Sequence, residues 1–187
     1  MSEVTGTVLS GPHDVSEVGS TLGFISFGSI LMPTIEGVSV RVEVDEKSGD
    51  VVAVSFEHQG SILQVSAFAA AKSDELWDEI YHQRIETVTS TGGEIEETIG
   101  GFGKQLEAKL VTPTETRELR FIGFNGPRWF LRGAITGVAL TDSAAAANME
   151  QIFRALVIDR GNSPLPPREP LPLKVPDGNF VPPKSGL

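Results

Sequence analysis

The sequence predicts an α+β fold, a twisted antiparallel β-sheet of about six or seven strands with two helices packed on it. Three observations predict it. Successive β-rich runs joined by short polar turns fill residues 38–68, two segments with helical spacing lie at 76–88 and 144–156, and an aromatic run folds about Asn125-Gly126-Pro127. The alternative is a β-sandwich or barrel with peripheral helices. A chain of 187 residues suits one such domain. It divides into a flexible N-terminal arm (1–20), a single α+β domain (21–161) and a proline-rich C-terminal tail (162–187).

Each element has a local cause. The arm is rich in Gly, Ser and acids and has little periodicity. FISFGSILM (24–32) reads as a first strand, ended by Pro33, which has no N–H for a ladder. Val38, Val40, Val42 and Val44 alternate with Ser39, Arg41 and Glu43, the period of a half-buried strand. The turn DEKSGD leads to VVAVSFE, and HQGS leads to ILQVSAF, giving an antiparallel meander. A helix follows, with Ser73 as its cap and Asp74 and Glu75 in its first turn. Its apolar stripe is Leu76, Trp77, Ile80, Tyr81, Ile85 and Val88, and Gly92-Gly93 stops it.

EIEETI and KQLEAKLV read as further strands, the second with Leu106, Ala108 and Leu110 inward, and TPTETRE as a loop. If Asn125-Gly126 forms a two-residue turn, Phe124 pairs with Pro127, Ile122 with Trp129 and Phe121 with Phe130. One face of that hairpin then carries Ile122, Phe124, Trp129 and Leu131, the other Phe121, Arg128, Phe130 and Arg132. Strand pairing continues through ITGVAL. Asp142 or Ser143 caps a second helix with Met149, Ile152, Phe153 and Leu156 as its buried stripe. Beyond Gly161 lie eight of the twelve prolines, a density that favours an extended polyproline-like path. Leu165, Leu171, Leu173, Val175 and Phe180 are interspersed there, which favours docking on this domain or on a partner over a solvated tail.

Composition removes whole classes of chemistry. With no cysteine there are no disulfides, thiolate metal sites or cysteine nucleophiles. A net charge of −10 opposes binding to nucleic acid or anionic lipid. The N-terminus lacks the basic and apolar regions of a signal peptide, and no apolar run has the roughly 20 residues a bilayer crossing needs, so a cytoplasmic protein is expected. His13, His58 and His82 lack the spacing of a zinc site. Glu94, Glu96 and Glu97 read as the solvated side of a strand. DEKSGD lacks the regular oxygen ligands of a calcium loop. No phosphate-binding loop or nucleophile elbow is present. No catalytic residue, metal or cofactor is therefore expected.

The segment LRFIGFNGPRWFLRG holds the candidate binding surface: Arg120, Arg128, Trp129 and Arg132. Aromatics alternating with arginine can stack single-stranded nucleic acid, but the chain's acidity and the missing RRM signature favour core aromatics with arginines at the rim.

VRVEVDEKSGDVVAVSF, LQVSAFAAAKSDELWDEI, LRFIGFNGPRWFLRGAITG and PLPPREPLPLKVP together resemble an actinobacterial family that is a domain of unknown function. The match runs from about Gly11 to Pro176, and GPRWFLRG, the Leu-Trp-Asp-Glu helix start and the tail are its most specific parts. The resemblance implies a cytoplasmic actinobacterial protein, often encoded near a dUTPase, with an ordered tail and no assigned catalytic residues. The element order is also similar to the PsbP-like architecture, an analogy of fold alone. The leading functional expectation is a non-catalytic protein-binding or scaffolding module that uses the sheet face and the tail, with an unidentified protein partner. The alternative is an enzyme or binding protein for an anionic metabolite. Its pocket between sheet and helices would be lined by Arg120, Arg128 or Arg132 with a buried carboxylate.

Overall fold

The computed structural model describes residues 11–72 and 75–176. Within them run β1 (His13–Asp14), β2 (Ile25–Ser26), β3 (Ile30–Met32), β4 (Ser39–Val44), β5 (Val51–His58) and β6 (Ser61–Ala69). Helix α1 (Leu76–Ser90) follows, then β7 (Glu94–Gly100), β8 (Gly103–Val111), β9 (Thr116–Gly126) and β10 (Trp129–Gly137). A 3₁₀ turn, α2 (Ser143–Ala155) and β11 (Val157–Ile158) complete the order. The main sheet has seven antiparallel strands in the order β4-β5-β6-β10-β9-β8-β7, and a smaller sheet runs β1-β11-β3-β2. The main sheet is open, with β4 and β7 at its edges, so the fold is α+β and no barrel closes.

The two faces of the main sheet carry separate cores because side chains alternate along each strand. On β10, Trp129, Leu131 and Ile135 join Met149, Ile152 and Phe153 of α2, and the small sheet adds Ile30, Met32 and Ile158. Phe130 points the other way, to Leu76, Trp77, Tyr81 and Val88 of α1, with Leu106 and Phe121. Asp142 caps α2: its Oδ1 accepts the N–H groups of Ala144 (2.8 Å) and Ala145 (3.1 Å). The expected cap Ser73 and first-turn Asp74 of α1 lie outside the described residues, as does Phe180. Glu75 takes the N-cap position, and the Trp77 N–H is satisfied by Asn125 Oδ1 of the hairpin at 3.1 Å.

Several expectations require correction. The run 24–32 is two short strands paired back on each other, Ile25 with Met32 and Ser26 with Leu31. Gly28 turns the chain there with φ +86°, where its missing Cβ lets the carbonyl of Pro172 approach. The arm is anchored from Gly11 onward: His13 pairs with Val157 and its N–H donates to the Leu156 carbonyl at 3.0 Å. TPTETRE is loop only as far as Glu115, and ITGVAL leaves the sheet at Gly137. The hairpin turn is Pro127-Arg128, not Asn125-Gly126, because Trp129 pairs with Gly126, Phe130 with Asn125 and Leu131 with Phe124. Proline fixes the first turn position, and Arg128 takes the second with φ +62°, as in a type II turn. The two-residue slip on each strand is even, so both faces keep the side chains expected of them, except that Arg128 moves from its face into the turn.

The described part of the tail is a strap on its own domain. The Arg168 N–H donates to Ala69 O (2.7 Å), Leu171 N–H to Ala67 O (2.9 Å) and Ala69 N–H to Glu169 O (2.8 Å). These bonds fill the side of β6 that β5 leaves open, since β5 pairs only with residues 61–65. Leu171 is 3% exposed, and Leu165 and Leu173 pack against the same core.

A candidate anion-binding groove under helix α1

Helix α1 packs on the face of the main sheet that carries Phe121 of β9 and Phe130 of β10, with its closest backbone approach to β7, β8 and β9. Two interlocking contacts set its height. Trp77 stacks on Phe130 with ring centroids 5.9 Å apart, and it does so over Gly123, where a Cβ would lie 2.4 Å from the Trp77 ring. Trp77 Nε1 donates to Lys104 O at 2.9 Å. Nearby, burial and then a hydrogen bond with Glu97 push the Tyr81 hydroxyl up to about 12, so it stays protonated.

Beside this aromatic stack the helix and the sheet leave a cavity of about 230 Å³. Phe68 of β6 and Leu76 and Ile80 of α1 give it apolar walls, Gln83 and Thr87 are its neutral polar groups, and Arg84, Arg132 and Arg168 line it too. Arg132 lies opposite Gly123 on β9 and opposite Ser66 on β6, and its guanidinium stands over the Phe68 ring, 5.2 Å from the centroid. Arg84 stands over Phe121 at 5.0 Å. Such cation–π contacts contribute about 0.5–2 kcal/mol each and leave the positive charge in place. Arg168, from the strap, is paired with Glu79.

Among the described residues, the ion pairs are His13–Glu17, Arg41–Glu57, Lys104–Asp78, Arg120–Glu107 and Arg168–Glu79, so neither Arg84 nor Arg132 has a carboxylate partner. Burial pushes Arg132 down to about 10, and the facing charge of Arg84 adds to the shift. Burial lowers Arg84 as well. Both still carry their charge near neutral pH. The groove therefore holds two cations without a carboxylate partner among the described residues, in a setting that penalises them, and a small anion entering it would gain from both.

The four residues singled out from the sequence do not form one surface. Arg132 alone lies in this groove. Arg120 points to the opposite face, where it binds Glu107 and reaches the Ala139 carbonyl at 3.5 Å. Arg128 is exposed at the hairpin turn, where its carbonyl accepts from Ala70 N (2.9 Å) and Arg160 Nε (3.1 Å). Trp129 is 1% exposed in the α2-side core, with Nε1 donating to Asp14 Oδ2 at 2.8 Å. Among the described residues no carboxylate lines the groove, unlike the pocket expected from the sequence. Sequence reasoning missed Arg84. Its signal was position: it lies four residues from both Ile80 and Val88, inside the apolar stripe.

A larger hollow of about 510 Å³ on the far face is lined by Glu94, Glu96, Glu107 and Glu118 with Lys109 and Arg120. The described residues contain no group of three or more His, Asp or Glu poised to hold a metal. No helix among them is long and apolar enough to cross a membrane.

Comparison with known families places the chain. A family model described as a protein of unknown function, DUF3710, matches residues 11–179. The chain belongs to this family. No curated protein matches it. Among solved structures it is similar to cyanobacterial PsbP (CyanoP) from Synechocystis sp. PCC 6803, with a TM-score of 0.45 and 10% identity over 76% of this chain and 96% of that one. The groove residues Arg84, Arg132 and Arg168 all fall inside the matched span of the DUF3710 model.

Proposed function

We propose that this DUF3710 protein is a binding module for a small anionic ligand, held between α1 and the sheet. The observation that carries the reading is the pair Arg84 and Arg132, two partly buried guanidiniums with no carboxylate partner among the described residues. Buried charge without compensation is costly, and charge complementarity with a ligand is the most economical reason for it. The reading calls for no catalytic residue. A thermal-shift screen at matched ionic strength, with phosphate, sulfate, acetate and succinate, tests it. At least one anion should raise the melting temperature of the wild type by several degrees and leave an Arg84→Met/Arg132→Met variant unmoved. If no anion stabilises the wild type, the reading fails.

A second reading is the protein-binding one, through the proline-rich strap. It is favoured by the strap's outer side, where Pro170, Pro172, Lys174 and Val175 are exposed while Leu171 is buried. A preformed extended ridge loses little entropy when it docks. Affinity capture with the full chain and with Val175→Asp checks it, and identical capture by both would count against it.

A further inference from the structure

We infer that the groove takes a small phosphomonoester dianion, and that the strap supplies Arg168 as a third guanidinium, which exchanges Glu79 for the ligand. This rests on the anion-binding reading of the same groove.

Charge selects the dianion. Arg84 and Arg132 together carry two positive charges with no carboxylate partner among the described residues, whereas Arg168 is already neutralised by Glu79. A monocarboxylate would leave one guanidinium unpaired, while a phosphomonoester carries about −1.5 to −2 at neutral pH and matches the pair. Geometry points the same way. A guanidinium is a planar fork of donors suited to two oxygens at once, and a phosphate has three oxygens to share among several forks. Dicarboxylates carry the charge but split it between two ends, which suits guanidiniums set apart rather than two that repel each other across one cavity.

Shape limits the rest of the molecule. About 230 Å³ lies below the roughly 300 Å³ at which pockets for drug-sized ligands begin, so the organic part is short. Leu76, Ile80 and Phe68 suit a few carbons, the Gln83 amide suits a hydroxyl or carbonyl on them, and Thr87, whose hydroxyl donates to the Gln83 carbonyl at 2.8 Å, can accept from a hydroxyl.

Arg168 is placed to take part. Its backbone is held to β6 by the 2.7 Å bond to Ala69 O and turns there with φ +72°, so the Cα is fixed beside the groove. Its side chain and that of Glu79 are about half exposed, and an ion pair so exposed is weak and easily exchanged. The strap thereby connects ligand binding to the docking of the C-terminal segment.

Calorimetric titration of the full chain at constant ionic strength separates the outcomes, with n-propyl phosphate, butyrate, succinate and a phosphoserine hexapeptide as probes. Propyl phosphate should bind about tenfold more tightly than butyrate or succinate. Arg168→Gln should weaken it about three- to tenfold, and Glu79→Gln, which frees Arg168, should tighten it. Equal binding of butyrate or succinate would overturn the phosphomonoester while leaving the anion-binding reading intact. Tighter binding of the phosphopeptide would overturn the small-molecule assignment. Unchanged affinity in Arg168→Gln would remove the strap's part. If none of the probes binds, the anion-binding reading fails with the inference.

Discussion

The two faces of the main sheet are built from similar residues yet treat charge in opposite ways. On the α2 side, Phe27, Phe56, Trp129, Leu131, Ile135 and Phe153 are almost completely enclosed, and the indole N–H of Trp129 has Asp14 as its acceptor. Burial raises the Asp14 carboxyl, but hydrogen bonds from Ser16 and Trp129 outweigh it and hold the group below its ordinary range. On the α1 side, Trp77, Phe121 and Phe130 form an equally aromatic core, but Arg84 and Arg132 intrude with no counter-charge among the described residues. The difference teaches where stability has been optimised and where it has been left incomplete. Sites that bind charge keep such a cost, because a fully compensated site would have nothing to gain from a ligand.

The contrast can be broken at its strongest point first. Trp129→Ala removes a fully buried indole from the α2-side core and should cost about 3–5 kcal/mol, read from urea unfolding. Leu171→Ala tests whether the strap belongs to that same core, with an expected loss of about 2–4 kcal/mol. On the α1 side, Gly123→Ala forces a Cβ into the Trp77 ring and should cost about 1–3 kcal/mol, with altered tryptophan fluorescence. The smallest expected effect is that of Asn125→Ala, about 1 kcal/mol, from the lost acceptor of the Trp77 N–H at the start of α1. A larger loss at Asn125 than at Trp129 would reverse the ranking of the two faces.

How much of this was legible in the sequence follows from the length of each signal. The valine alternation and the stripes of both helices repeat over enough residues to reveal their period, and the structure keeps them, except that the register of β4 shifts between Glu43 and Val44 and leaves Val44 exposed. The hairpin kept its faces and lost its register. Asn125-Gly126 is a strong turn signal in isolation, but Asn125 is engaged by the N-terminus of α1, and Pro127 can begin a turn of its own. The small sheet was invisible because strands of two or three residues, such as His13–Asp14 and Val157–Ile158, have no periodicity to read. The candidate site was only half legible. Arg132 stood out in its aromatic segment, whereas its partner Arg84 lies 48 residues earlier on another element, and only the packing of α1 on the sheet brings the two together.

The measurement that bears most directly on the central claim is the stability of Arg132→Met in buffer free of polyvalent anions. The folded-state pKa of Arg132, about 10, lies below its ordinary value, so as the pH rises above about 10 the unfolded chain binds more protons and wild-type stability rises with pH. Below about pH 10 the guanidinium is charged in both states, and its burial penalty is present in full. Near neutral pH the variant should therefore be more stable than the wild type by on the order of 1 kcal/mol, and its melting temperature should no longer respond to the anion that stabilises the wild type. A variant that is less stable than the wild type, or that still responds to the anion, would show that Arg132 supports the fold rather than waits for a ligand.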